Sequence, residues 1–90
     1  MYAAYNIRCF KIAIYSLEGA KCLVEPKERF IRTDERNKPI LASLYEVVGD
    51  ALDAWEIDEY TLTFIKHPTY YETHQFRYSN RECCIHVWEA

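Results

Sequence analysis

The chain has 90 residues, half of them hydrophobic and 28% charged, with a formal net charge of −3. A chain this short makes one domain with a modest core, burying only about 60–65% of the surface its unfolded form exposes. Two glycines and three prolines exclude a repetitive or disordered chain. No apolar run approaches the roughly 18 residues that span a bilayer.

Met1 to Ala13 carries Arg8 and Lys11 inside its apolar stretch, so it lacks the continuous apolar segment of a secretory leader. The expectation is a soluble, cytoplasmic protein that does not meet a membrane. Tyr5 to Leu17 alternates: Arg8, Phe10, Ile12 and Ile14 share one face, and Tyr5, Ile7 and Cys9 the other. Both faces are partly apolar, which suits a central strand. Helix competes over residues 2–17, but the β-branched Ile7, Ile12 and Ile14 favour strand. Glu18-Gly19 reads as a two-residue turn and Ala20 to Glu25 as the returning strand. That turn pairs residues whose numbers sum to 37, placing Cys22 opposite Tyr15 and Cys9 opposite Glu28. Cys9 and Cys22 are then not disulfide partners.

Pro26 breaks the ladder. Arg29 to Arg32 reads as a short third strand and Thr33 to Lys38 as a loop. Pro39 to Trp55 reads as an amphipathic helix about 25 Å long. Pro39 takes the first helical position and Asn37 or Lys38 the cap. Leu41, Leu44, Val48, Ala51, Leu52 and Trp55 make one apolar stripe at helical spacing. A meander follows. Glu59 to Lys66 places Tyr60, Leu62 and Phe64 on one face. After His67-Pro68-Thr69 come a strand from Tyr70 to Tyr78, a turn at Ser79-Asn80-Arg81, and a last strand from Glu82 to Glu89. Cys83, Ile85 and Val87 share a face there. The order ββ(β)αβββ implies a single α+β domain over residues 1–90: an antiparallel sheet of about five strands packed against one helix.

The four cysteines (Cys9, Cys22, Cys83 and Cys84) include no C-x-x-C pair. They read as free thiols. A metal site drawing on Cys83 or Cys84 with His67, His74 or His86 is the competing reading, and neither a metal nor a cofactor is expected. Catalytic constellations are thin. His86 lies two residues from Cys84 on the same face, but no carboxylate is at hand to orient it. Asp58 and Glu59 sit at a helix–strand junction, where solvation suits them better than acid–base work. No phosphate loop, G-x-S-x-G, H-E-x-x-H or EF-hand pattern occurs. Arg77 and Arg81 with Tyr70, Tyr71, Phe76 and Tyr78 could stack on nucleic acid. A pI near 5.6 argues against direct nucleic-acid binding.

Charge distribution is the unusual feature. Between Lys38 and Lys66 there is no Lys, Arg or His, while Glu46, Asp50, Asp53, Glu56, Asp58 and Glu59 give that window a charge of −6. Lys27 to Lys38 holds five basic residues against three acidic ones. Glu46, Asp50 and Asp53 line one helix face away from the apolar stripe. Like charges at this spacing destabilise a helix by roughly 0.2–0.5 kcal/mol per pair, and carboxylates near its C-terminus oppose the macrodipole. Either the stripe is a solvated face neutralised by Lys27–Lys38 folding back, or it docks a basic partner. Nucleic-acid mimicry, with carboxylates standing where phosphates would, is one form of docking.

In size, acidity and α+β order the chain is similar to small phage-encoded inhibitors of bacterial defence, such as anti-CRISPR and anti-restriction proteins, and to toxin-immunity proteins. That likeness implies a non-enzymatic inhibitor of a basic, nucleic-acid-handling or toxin protein and transfers no residue. The partner-binding residues expected are Glu46, Asp50, Asp53, Glu56, Asp58 and Glu59. The alternative is an assembly subunit that forms a homo-oligomer through the sheet aromatics Tyr70, Tyr71, Phe76 and Tyr78.

Overall fold

A computed structural model describes residues 6–53, 62–65 and 72–89. Their elements are β1 (Asn6–Ser16), β2 (Cys22–Thr33), α1 (Leu41–Leu52), β3 (Thr63–Ile65), β4 (Glu72–Tyr78) and β5 (Arg81–Glu89). The strands form one five-stranded antiparallel sheet of order β2-β1-β5-β4-β3. The α+β architecture read from the sequence is the one observed. β1 pairs on both sides, with β2 and β5, as its two apolar faces require. Glu59–Lys66 contributes only Thr63–Ile65 to the described sheet, and the ends of that expected strand lie outside the described residues.

Side chains alternate across the sheet. Phe10, Ile12 and Ile14 of β1 join Val24 and Ile31 of β2, Phe76 of β4 and Cys83, Ile85 and Val87 of β5 on one face. Leu44 and Val48 of α1 close over them. Leu41, expected in the buried stripe, is exposed instead. The opposite face carries Tyr15, Thr73, Cys84 and His86.

The β1–β2 hairpin departs from its expected form in two ways. Its loop runs from Leu17 to Ala20, closed by Ser16 N–H donating to Lys21 O at 2.8 Å. Gly19 and Ala20 take left-handed φ of 73° and 50°. The centre is unchanged, so Tyr15 still faces Cys22. Two one-residue register shifts follow, at Ile14↔Val24 and at Ile12↔Lys27. The second absorbs Glu25-Pro26. Proline lacks the N–H a ladder needs and is tolerated at a bulge on an edge strand. Pro26 therefore bends β2 without ending it, and the separate third strand at Arg29–Arg32 is the far half of β2. Cys9 faces Phe30 as a result, not Glu28.

The helix starts two residues later than the sequence suggests. Pro39 is buried and bridges Thr33, while Ile40 is the N-cap and makes no side-chain cap bond. Residues 39 and 40 are held extended because they cover the edge of β2. Ile40 N–H donates to Arg32 O at 2.9 Å, and Arg32 N–H donates to Ser43 Oγ at 3.1 Å. Asp34 turns the intervening loop, its Oδ1 accepting the N–H groups of Arg36 and Lys38 at 2.8 and 3.0 Å. At the other end Asp53 is the C-cap, with a left-handed φ of 52°. Trp55 lies outside the described residues. No helix among the described residues is long and apolar enough to cross a membrane.

Candidate functional site: two faces of the sheet

Glu46 and Asp50 project from the outer side of α1 and stay largely exposed, at 66% and 67% of their side chains. β2 lies beside them and supplies cations. Arg32 Nη2 donates to Glu46 Oε1 at 2.9 Å, and Arg29 Nη2 stands 3.9 Å from Asp50 Oδ2. The Lys27–Lys38 segment thus does fold back along the acidic stripe, with its arginines on two of the three described carboxylates. Asp53 is exposed at the helix end, and Glu56, Asp58 and Glu59 lie outside the described residues. Between the strand and the helix is a concavity of about 430 Å³ lined by Arg29, Phe30, Glu46, Val47 and Asp50. Phe30 is 75% exposed, the most exposed large hydrophobic among the described residues. Arg29 Nε is buried with no hydrogen-bond partner among the described residues.

Two of the four aromatics expected on an assembly face are described, and both lie on the helix side of the sheet. Phe76 is 2% exposed and Tyr78 packs on the core, both beneath the helix side of the sheet. Alternation in β4 puts Phe76 opposite Cys83, which faces α1. Tyr70 and Tyr71 lie outside the described residues. Arg77, the proposed nucleic-acid contact, is bound to Glu82 at 3.0–3.1 Å.

The face away from α1 has a second concavity of about 420 Å³. Tyr15, Leu17, Ala20 and Ile65 form its apolar wall, and Thr73, Cys84 and His86 a polar floor. Register builds that floor, because Tyr15 opposes Cys84 across β1–β5 and Thr73 opposes His86 across β4–β5. Thr73 Oγ1 is 2.9 Å from His86 Nδ1, and Cys84 Sγ is 3.7 Å from His86 Nε2. The Tyr15 ring lies 5.4 Å from the imidazole at an interplanar angle of 56°. His86 therefore has an orienting group, a threonine hydroxyl supplied by the neighbouring strand. Sequence reading missed it because only the β4–β5 register brings Thr73 there.

Burial pushes the Cys84 thiol up, opposed in part by the backbone N–H of Tyr15. Burial, and then the neighbouring Cys84, push Cys83 up as well. Cys22 is raised by partial desolvation and by the Glu25 carboxylate. Nucleophilic cysteines have lowered values, the opposite direction to these three thiols. Cys83 points to the core, away from His86. All four cysteines are free. His67 lies outside the described residues.

A third cluster has no counterpart in the sequence reading. Glu72 and His74, on the core face of β4, are 8% and 2% exposed, with Oε1 and Nε2 3.2 Å apart. Glu72 Oε2 and His74 Nδ1 are buried with no hydrogen-bond partner among the described residues. Phe64 meets the His74 ring edge-on at 5.6 Å. The available signal was parity, since Glu72 and His74 share the face of Phe76.

The fold and sites define a small α+β protein of order ββαβββ with one mixed-charge face and one apolar concavity. No protein-family model matches the chain, and no curated protein or solved structure is significantly similar to it.

Proposed function

We propose that the protein is a non-enzymatic binding protein that docks its β2–α1 face onto the positively charged surface of a partner. The partner class is a nucleic-acid-handling or toxin protein, which the docked chain would inhibit. One observation carries this reading: Phe30, three-quarters exposed, shares a concavity with Glu46 and Asp50. A merely solvated acidic face needs no aromatic beside it. Interfaces combine an aromatic anchor with a charged rim.

A partner arginine entering the concavity reaches the Glu46 and Asp50 carboxylates, with Phe30 adding apolar contact at the rim. The intramolecular pairs to Arg29 and Arg32 oppose this only weakly, because exposed ion pairs contribute about 0–1 kcal/mol. Glu56, Asp58 and Glu59 extend the same acidic stretch in sequence and add to the long-range attraction.

Tagged protein is used to capture partners from a lysate of the source organism at low and at high salt. Glu46→Lys/Asp50→Lys and Phe30→Ala variants run in parallel, with folding checked by circular dichroism. The expected result is a partner with a basic surface, lost at high salt and lost by both variants. A partner held equally by wild type and variants contradicts the reading.

A further inference from the structure

We propose that the β1–β2 hairpin, on its side turned away from α1, closes a two-fold homodimer in which Lys11 of each copy meets Glu28 of the other. The interface lies across the sheet from Glu46 and Asp50 and does not depend on the docking reading. Phe30 stands at the rim of both surfaces, so variants at Lys11 and Glu28 separate the two.

Register builds the patch. Ile7, Cys9 and Lys11 share the parity of Tyr15 in β1, so their side chains stand on the face away from α1. Directly opposed residues of an antiparallel pair share a face. Phe30 opposes Cys9 and Glu28 opposes Lys11, while Arg32, opposite Ile7, turns over the β2 edge to Glu46. Ile7 is 64% and Phe30 75% exposed, the two most exposed large hydrophobics among the described residues. They are diagonal neighbours, with the half-buried Cys9 beside them. Single exposed apolar side chains are ordinary, whereas a contiguous apolar patch with a polar rim marks a contact surface.

The charges select the occupant. The pair bordering this patch, Lys11 opposite Glu28, supplies one cation and one anion on either side of the hairpin's long axis. A two-fold axis along the strands, above this face and between β1 and β2, lays β1 of each copy over β2 of the other with no shift along the strand. Each residue then meets the second copy's version of its own cross-strand partner. Lys11 faces Glu28 twice, and Phe30 of each copy covers Cys9 and Ile7 of the other. A surface of one sign would repel its own copy, and this one attracts it. Stacked sheets lie about 10 Å apart with strands within about 30° of each other, which preserves the match near the centre of the patch. Three cross-strand pairs make a small interface, so the dimer is reversible and concentration-dependent.

The reduced protein is measured by sedimentation equilibrium from micromolar to millimolar concentration, with the folding of each variant checked by circular dichroism. The mass should rise from that of the 10.8 kDa chain toward twice that value. Lys11→Glu and Glu28→Lys should each stay monomeric alone, and an equimolar mixture of the two should dimerise, because its charges match again. Ile7→Asp, outside the charged pair, should also stay monomeric, and Glu46→Lys/Asp50→Lys should dimerise like the wild type. A wild type that stays monomeric throughout, growth beyond the dimer, single charge variants that associate as the wild type does, or a mixture that associates no more than its components would each overturn the proposal.

Discussion

Glu72 and His74 show how much one buried pair can matter. Each has a buried polar atom with no partner among the described residues, so their mutual contact carries much of the pair's compensation there. Removing one member leaves the other stranded. Glu72→Leu alone should therefore cost about 3–5 kcal/mol in urea unfolding, while Glu72→Leu with His74→Leu should be neutral or stabilising. If the single and double variants are equally destabilised, the two groups do not act as a pair. Asp34 allows a pH test. The backbone N–H groups of Lys38 and Arg36, with their side-chain charges, hold its carboxyl below the usual range. A depressed folded value stabilises the turn above the unfolded value, and that contribution is lost as pH falls through the folded one. A carboxyl NMR titration should find Asp34 below its value in the unfolded chain, and Asp34→Asn should remove that part of the acid dependence. Cys84 belongs to the same scale. With its thiol raised by burial, it should react with iodoacetamide at neutral pH more slowly than the same thiol in urea. A faster reaction in the folded protein would show an activated nucleophile.

Among the elements, those with a clean period were legible in the sequence. β1, β4, β5 and the buried Leu44/Val48 stripe follow periods of 2 or 3.6. Ser79-Asn80, with φ of 51° and 61°, forms a two-residue turn between Tyr78 and Arg81 of the kind hairpins favour. What local sequence hides is decided by partners. Pro26 signals a break, and only pairing with β1 shows that the ladder absorbs it as a bulge. Pro39 signals a helix start, yet edge pairing with Thr33 holds it extended. The Thr73–His86 contact depends on the β4–β5 register, and Glu72 was hidden because a carboxylate on a core face contradicts composition. The Arg29 and Arg32 pairs were foreseeable only as a basic segment able to fold back. Ser43 tests the edge cover. Ser43→Ala strands the Arg32 N–H and should cost about 1–3 kcal/mol. Leu44→Ala, at a site with no exposure, should cost about 2–5 kcal/mol. A Ser43→Ala cost near zero would mean that water replaces the hydroxyl.

At the level of the whole molecule, the order β2-β1-β5-β4-β3 sends α1 from one sheet edge toward the other. The crossing covers one face and leaves the two sites on opposite sides. The helix side carries the mixed charge of Arg29, Glu46 and Asp50, with Phe30 at its rim on the β2 edge, and the far side carries the Cys84–His86 floor. β2, an edge strand, is guarded against pairing with other chains by the bulge at Glu25-Pro26, by its charged residues and by the Pro39–Ile40 cover. The most direct measurement is an 15N–1H NMR map of the labelled protein with its captured partner. Docking through the β2–α1 face predicts shifts clustered at Phe30, Glu46, Val47, Asp50 and Asp53, with Tyr15, Ile65 and His86 unmoved. Shifts confined to Tyr15, Ile65, Thr73 and His86 would contradict it and place recognition on the opposite face.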